Sequence, residues 1–176
     1  MKILVIGASG LIGRAVVENM KEGNEILTAS RSSGDFKVDI SDSKSVETLF
    51  EKTGELDAII VVAGEQSYGL ITSLTAELFA VGVNNKVLGQ INVGLAGQSV
   101  LKDGGSFTIT SGIMTDPPFS GGVCTFVDNA ALEKFVHVAA LELPRGQRIN
   151  VVSPAVVVQA LGEIAQEGTI PEELNQ

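Results

Sequence analysis

Three glycines near the amino terminus have the spacing of a phosphate-binding turn. Gly7, Gly10 and Gly13 follow the apolar run Met1–Ile6 without a gap. A buried strand that ends in such a turn and continues as a helix brings the backbone close to a pyrophosphate and directs free N–H groups toward it. We therefore predict a dinucleotide site at this turn, with a structural glycine turn as the alternative. The predicted binding residues here are Gly7, Ser9, Gly10, Leu11, Ile12 and Gly13.

The second strand-like run ends in hydroxyl and guanidinium groups rather than in an acid. A strand that selects NAD usually ends in an acid, which accepts a hydrogen bond from the ribose 2′-hydroxyl. Here Ala29 is followed by Ser30, Arg31 and Ser32. Arg31 can direct two N–H groups to a 2′-phosphate. Further hydroxyl donors can come from Ser9, Ser30 or Ser32. These residues predict NADP as the cofactor, with a solvated loop arginine as the alternative.

Short apolar runs alternate with helical patterns along the whole chain. Several of these runs are continuously apolar, which is typical of strands covered on both faces. The pattern predicts a doubly wound parallel α/β sheet of the Rossmann type, with three layers and a single domain over residues 1–176. The predicted strands are Lys2–Ile6, Glu25–Ala29, Phe36–Val38, Asp57–Val62, Ser106–Thr110 and Arg148–Val152.

Capping residues predict where the intervening helices begin. Ser41 or Asp42 can cap a helix that buries Val46, Leu49 and Phe50. Thr75 can cap a longer helix that reaches about Leu101, with Gly104-Gly105 turning the chain into the next strand.

A last long helix, at about Val127–Leu143, is apolar on more than one side, which favours a core position or a subunit interface. No further strand-like run is predicted after Arg148–Val152, so we also expect a shortened sheet with this strand at its edge. Together these features predict a homodimer or homotetramer.

Composition and charge exclude several classes of function. The chain has 176 residues, a net charge of −9, one cysteine and one histidine. Such acidity argues against nucleic acid as a partner. The apolar runs are too short to cross a membrane, and a single Cys and a single His supply no recognisable metal-ligand set. We expect a cytoplasmic protein without a metal, acting on a small molecule.

The order and spacing of six segments resemble the short-chain dehydrogenase/reductase family over nearly the whole chain. The segment Asn129–Phe135 also resembles the long helix that carries this family's catalytic Tyr and Lys. The matching segments each follow a predicted strand: Gly7–Gly13, Ser30–Ser32, Val38-Asp39, Val62–Gly64, Ile109–Ser111 and Val151–Pro154. The resemblance implies a Rossmann fold with a nicotinamide cofactor.

Two further cofactor contacts are implied by the resemblance. Asp39 corresponds to the acid that accepts a hydrogen bond from the adenine amino group, and Ala63-Gly64 would lie along the adenosine ribose. Asp39 can equally be a residue at the start of the next helix, where the helix dipole favours an acid. We keep both interpretations.

The catalytic residues depart from the family's pattern. Ser111 matches the serine that orients the substrate carbonyl. The alignment of the long helix places Thr125 where the family has Tyr and Asn129 where it has Lys. An alkyl hydroxyl is far too weak an acid to replace a phenol with a lowered pKa. The usual proton-transfer pair is therefore missing.

A lysine stands where the family has an asparagine, three residues before Gly89. One hypothesis is a rearranged site, in which the Lys86 ammonium enters near the nicotinamide ribose and Asn129 supplies neutral hydrogen bonds. Desolvation could make this lysine the proton donor. The alternative is a solvent-facing helix lysine. Tyr68, the only tyrosine, is a possible substitute acid or a loop residue that covers the core.

The sequence thus favours an NADP-dependent oxidoreductase that moves hydride between NADPH and a small carbonyl or quinone-like compound. A catalytically silent NADP(H)-binding sensor or regulatory subunit is the second hypothesis, because the Tyr and Lys are missing. An isomerase or epimerase that recycles bound NADP is the third.

Overall fold

The apolar runs form one parallel sheet in the computed structural model, which describes residues 1–113 and 119–155. The strand order is β3-β2-β1-β4-β5-β6, so it reverses between β1 and β4. In such sheets, ligands bind outside the carboxyl ends of the strands at this reversal. The predicted fold class is confirmed. The strands are β1 Lys2–Ile6, β2 Glu25–Ser30, β3 Phe36–Lys37, β4 Leu56–Val61, β5 Leu101–Thr110 and β6 Arg148–Val152.

Helices cover both faces of this sheet. The α-helices are α1 Leu11–Met20, α2 Ser43–Thr53, α3 Ala76–Gly82, α4 Gly89–Gly97 and α5 Val123–Glu142. A π-helical segment, Val83–Leu88, connects α3 and α4. Wide turns of this kind are rare and often occur at functional sites. None of the helices in the described ranges is long and apolar enough to cross a bilayer.

Alternation along β1 produces two apolar layers. Ile3 and Val5 pack with α1 on one face, whereas Leu4 and Ile6 belong to the larger core on the other face. Side chains of a strand point alternately to the two sides of its sheet, so one strand can serve both cores. This arrangement fixes the end of β1, and the turn that follows it, between the two layers.

The start of α2 agrees with the sequence analysis. Of the two candidate caps, Asp42 is the one used: its carboxylate accepts a hydrogen bond of 2.9 Å from the backbone N–H of Lys44. The predicted apolar face is confirmed, because Val46, Leu49 and Phe50 are buried.

The predicted long helix from Thr75 to about Leu101 is wrong at its end. Thr75 does cap α3, but the helical region ends at Gly97 and Leu101 already pairs with Leu56 of β4. Gly104-Gly105 lies inside β5, in a bulge where residues 102–105 oppose a single residue of β4. A glycine at 105 is required by packing, since a Cβ there would lie 2.8 Å from the Leu101 side chain.

Helix α5 begins four residues earlier than predicted. One stripe of the helix, made of both polar and apolar side chains, is buried toward the core. Val127, Val138 and Leu141 are exposed, and the exposed fraction of Leu141 is 86%. Strand β6 is the last strand of the sheet within the described ranges. The expectations about the chain after Ala155 lie outside the described residues.

Candidate cofactor cleft and active site

The turn after β1 requires glycine at positions 7 and 13. Gly7 has a φ of +89°, and a Cβ there would lie 2.7 Å from the Val62 carbonyl carbon. A Cβ on Gly13 would lie 2.8 Å from the Ala8 Cα. Gly10 is the N-cap of α1, where no side chain caps the helix. The first N–H groups of α1 are therefore available to an anion, which suits a pyrophosphate.

A cleft of about 270 Å³ opens above this turn, at the reversal point of the sheet. Most of the predicted cofactor residues line it: Gly7, Ser9, Gly10, Ser30, Arg31, Ser32, Asp39, Ala63 and Gly64. Three others do not. Leu11 and Ile12 form the first turn of α1, and Gly13 packs against the backbone of the turn.

Arg31 reaches across the cleft to an acid that the sequence analysis missed. Its guanidinium donates a hydrogen bond to the Glu65 carboxylate, and both side chains line the cleft. Nearby, the Ser30 hydroxyl donates to the Ser33 carbonyl at 2.7 Å. The position of Glu65, directly after Ala63-Gly64, was the available signal for its presence here. Arg31 is an exposed loop residue that is paired with Glu65, so both interpretations of this arginine stay open.

Asp39 lies at the rim of the same cleft and also holds a turn. Its Oδ1 accepts hydrogen bonds from the Ser41 N–H at 3.0 Å and from the Ser41 hydroxyl at 2.6 Å. These bonds, with a smaller contribution from the charge of Arg31, hold the pKa of Asp39 below its usual value. The carboxylate is therefore ionised and faces the cleft, which is compatible with both interpretations of the sequence.

Lys86 is buried, so the interpretation of a solvent-facing helix lysine is wrong. Only 6% of the residue is exposed. Its Nζ donates hydrogen bonds to Asn129 Oδ1 at 2.8 Å and to the Ser111 carbonyl at 3.1 Å. The π-helical segment places this lysine on the inner side of the helix. Gly64 packs against it, because a Cβ there would lie 2.7 Å from the Lys86 Cα.

Burial makes Lys86 a stronger acid than an ordinary lysine. It lowers the pKa of Lys86 to about 8, although the charge of Asp128 acts in the opposite direction. Asp128 is fully buried, and burial raises the pKa of its carboxyl group while Lys86 partly opposes the rise. The two groups thus influence each other across the contact between the π-helical segment and α5. Asp128 was missed in the sequence analysis, although it directly precedes Asn129.

Several polar atoms around Asp128 have no hydrogen-bond partner within the described residues. They are Asp128 Oδ1 and Oδ2, Gln66 Nε2 and Thr125 Oγ1. The Gln66 amide lies close enough to lower the pKa of Asp128, but without the geometry of a hydrogen bond. Buried polar atoms without partners are uncommon in proteins and often occur at functional sites.

Ser111 is buried beside this cluster. Its hydroxyl can donate to the Asn129 carbonyl at 3.2 Å or to Glu133 Oε1 at 3.3 Å. Glu133 also accepts a hydrogen bond of 2.8 Å from the Ser153 hydroxyl. Glu133 is not among the residues predicted from the sequence, where its only signal is its place one helical turn after Asn129. The Lys86 and Asn129 side chains therefore meet at the Ser111 backbone carbonyl, while the Ser111 hydroxyl is directed to the Asn129 carbonyl and Glu133.

The other two candidates of the sequence analysis are not part of this hydrogen-bond network. Thr125 lies in the first turn of α5, and its hydroxyl has no partner among the described residues. Tyr68 lies in the loop after β4 and is 49% exposed. A catalytic role of either residue stays a prediction.

Comparison with known proteins identifies the family to which this chain is similar. A family model described as enoyl-(acyl carrier protein) reductase matches residues 9–175. Among solved structures, the protein lin1944 from Listeria innocua is 43% identical, with a TM-score of 0.90 over 97% of this chain and 86% of that chain. A small-chain dehydrogenase in complex with NADPH is 27% identical, with a TM-score of 0.82 over 97% of this chain and 82% of that one.

The similarity to a curated relative covers a smaller part of both chains. An uncharacterized oxidoreductase of Methylorubrum extorquens is 32% identical over 114 residues, which are 64% of this chain. The matched part spans only 46% of that relative.

Proposed function

The chain belongs to the short-chain dehydrogenase/reductase family of oxidoreductases, and from this premise we propose that it uses NADP(H) to reduce a small carbonyl or quinone-like compound. The observation that carries the proposal is the meeting of Lys86 Nζ with Asn129 Oδ1 beside Ser111. In this arrangement an ammonium group occupies the neighbourhood of the family's catalytic lysine, although it comes from a different helix.

The cleft fits the proposed cofactor. Glycines leave room for a pyrophosphate at the N-terminus of α1, and Arg31 offers a guanidinium for a 2′-phosphate. When bound, the nicotinamide would supply the hydride. The protein must then deliver a proton to the substrate oxygen and hold this oxygen in place.

We assign the proton to Lys86. An ammonium group has three N–H donors, and the contacts with Ser111 and Asn129 use two of them. The third can donate to a substrate oxygen and transfer its proton there. A pKa of about 8 leaves most of the lysine protonated near neutral pH while making it a better acid than a solvated lysine. Asn129 fixes the Nζ in place, and Ser111 is the proposed orienting hydroxyl.

The test removes the ammonium group without removing the packing of its side chain. Lys86→Met is compared with Lys44→Met, which changes an exposed lysine of α2. NADPH oxidation is measured with a panel of small aldehydes, ketones and quinones, and NADPH binding by fluorescence titration. We expect Lys86→Met to retain NADPH binding and to lose turnover by about 10²–10⁴-fold, the usual contribution of a general acid. Unchanged turnover would refute the assignment of Lys86.

The catalytically silent NADP(H)-binding protein is kept as the second candidate function. It is favoured by the position of the Ser111 hydroxyl, whose acceptors are the Asn129 carbonyl and Glu133. Tight NADPH binding by the wild type without turnover across the whole panel would support this candidate instead.

We also propose that the protein forms a homodimer or homotetramer through its exposed apolar helix faces. Leu95 of α4 and Val127, Val138 and Leu141 of α5 are exposed. Light scattering of the wild type and of Leu141→Glu tests this proposal, because a charge in an apolar interface would dissociate it. A monomeric wild type would refute it. A cytoplasmic location stays a prediction.

A further inference from the structure

The Arg31–Glu65 ion pair bridges the cleft from one side of β1 to the other. Arg31 follows β2 and Glu65 follows β4, and these strands flank β1 in the sheet. Neighbouring strands lie about 4.8 Å apart, so the two residues start from strand ends separated by roughly 10 Å. Their side chains meet above the glycine turn, and both line the cleft. A ligand that uses the Arg31 guanidinium must therefore compete with Glu65.

The charges of the cleft disfavour a ligand with a 2′-phosphate more than a ligand with a 2′-hydroxyl. Among the described residues that line it, one side chain is cationic, Arg31, and two are anionic, Asp39 and Glu65. Both carboxylates draw on the same guanidinium, one through a hydrogen bond and the other through its charge. A 2′-phosphate would add further negative charge at this place, whereas a 2′-hydroxyl would not.

We propose that Glu65 determines the cofactor specificity of this chain: it holds Arg31 in the free cleft and lowers the affinity for 2′-phosphorylated cofactors selectively. This inference rests on the proposed function, because it concerns the same cofactor. Glu65 can also accept a hydrogen bond from a ribose 2′-hydroxyl, the chemistry that an acid after the second strand supplies in NAD-binding proteins. The protein therefore binds NADPH and NADH with a narrow difference in affinity.

The size of the expected effect follows from exposure. The Arg31 and Glu65 side chains are 63% and 48% exposed, so the pair itself is weak and can exchange partners. A 2′-phosphate binds more weakly for two reasons. The Arg31–Glu65 pair must be broken, and the Glu65 carboxylate repels the phosphate. We expect a combined effect of about 3–10-fold on the dissociation constant, larger at low salt because salt screens both contributions.

Glu65→Gln tests the proposal by removing the charge with almost no change of shape. The probes are NADPH and NADH, together with 2′,5′-ADP and 5′-AMP, which differ only in the 2′-phosphate. Dissociation constants are measured by calorimetry at low and high salt. The variant should bind NADPH and 2′,5′-ADP about 3–10-fold tighter at low salt, while NADH and 5′-AMP are bound no tighter than by the wild type. Equal affinity of the variant and the wild type for 2′,5′-ADP would overturn the proposal.

Two further variants separate the causes. Asp103→Asn also removes one carboxylate from an exposed pair with an arginine, Arg145, but at the opposite end of the sheet. It should leave all four affinities unchanged, and a gain equal to that of Glu65→Gln would reduce the effect to net charge and overturn the proposal. In the Arg31→Met background, Glu65→Gln should lose most of its gain. An undiminished gain there would overturn the claim that Glu65 acts by holding Arg31.

The outcome for the wild type separates this inference from the proposed function. If the wild type binds NADPH but Glu65→Gln binds it no tighter, only the role of Glu65 fails. If the wild type binds none of the four probes, the proposed cofactor itself fails.

Discussion

The cofactor cleft and the catalytic cluster lie at the same end of the sheet but are built in different ways. The cleft consists mainly of turns that directly follow strands, and its shape depends on backbone conformations such as that of Gly7. The catalytic cluster consists of side chains from separate segments, with Lys86 on the π-helical segment and Asn129 on α5. A local sequence can specify the first kind of site, whereas only the packed fold brings the second together.

The largest effect is expected from a second ammonium group in the catalytic cluster. Asn129→Lys would place a buried cation beside Lys86, where the wild type has a hydrogen bond of 2.8 Å. We expect a loss of about 3–5 kcal/mol in the free energy of unfolding, the usual effect of an uncompensated buried charge. Urea denaturation measures it.

The exchange Lys86→Asn combined with Asn129→Lys is the matched control for this variant. It restores one cation and one amide, so most of the lost stability should return, and a double-mutant cycle isolates the interaction. If the double variant is no more stable than Asn129→Lys alone, the cluster is not a simple pair of exchangeable partners.

A smaller effect is expected from a methyl group in the glycine turn. Gly7→Ala should lower the free energy of unfolding by about 2–4 kcal/mol, because it combines a left-handed backbone with a collision against the Val62 carbonyl. Gly23→Ala is the control, since Gly23 has a φ of +74° and no neighbour within 4 Å. In the control, the free energy of unfolding should fall by only about 1–2 kcal/mol, and NADPH binding should be retained. Equal losses would show that the close approach of the backbone contributes nothing.

The smallest effect concerns the pH dependence of stability at Asp128. Burial raises the pKa of its carboxyl group above its ordinary value, so the folded protein holds this proton more tightly than the unfolded chain. The contribution of Asp128 to the free energy of unfolding is therefore largest at acid pH and decreases as the pH rises through the folded-state pKa. Asp128→Asn removes this titration.

The comparison of Asp128→Asn with the wild type is made by denaturation at a series of pH values that rises from acid to neutral pH, because a raised pKa moves the titration of a carboxyl group in this direction. As the pH rises, the free energy of unfolding of the variant should increase relative to that of the wild type. The expected difference is on the order of 1 kcal/mol, as is typical of a buried polar group without partners. A difference that is constant with pH would contradict the raised pKa.

Local signals in the chain predicted the strands and the glycine turn well. β1 and β6 have the predicted bounds, and Asp42 caps α2 as one of the two predicted residues. The long helix after Thr75 failed at its end, because the start of β5 depends on its pairing with Leu56 across the sheet. Periodicity along one segment contains no information about such a partner.

The candidate site divides in the same way. Gly7 and Arg31 could be identified from their positions after strands, where the carboxyl ends of a parallel sheet meet. The burial of Lys86 and the partners of Arg31 could not, because both depend on residues more than 30 positions away along the chain.

The amino-acid sequence by itself determined the α/β sheet and the phosphate-binding turn, since hydrophobic runs and glycine conformations act over a few residues. The tertiary structure decided which charges are buried and which are paired. Lys86 and Asp128 came close enough for each charge to influence the pKa of the other, and Glu65 became the partner of Arg31, only when the helices and loops packed at the carboxyl end of the sheet. Desolvation and Coulomb interactions depend on distance in space, and the order of residues does not contain that distance.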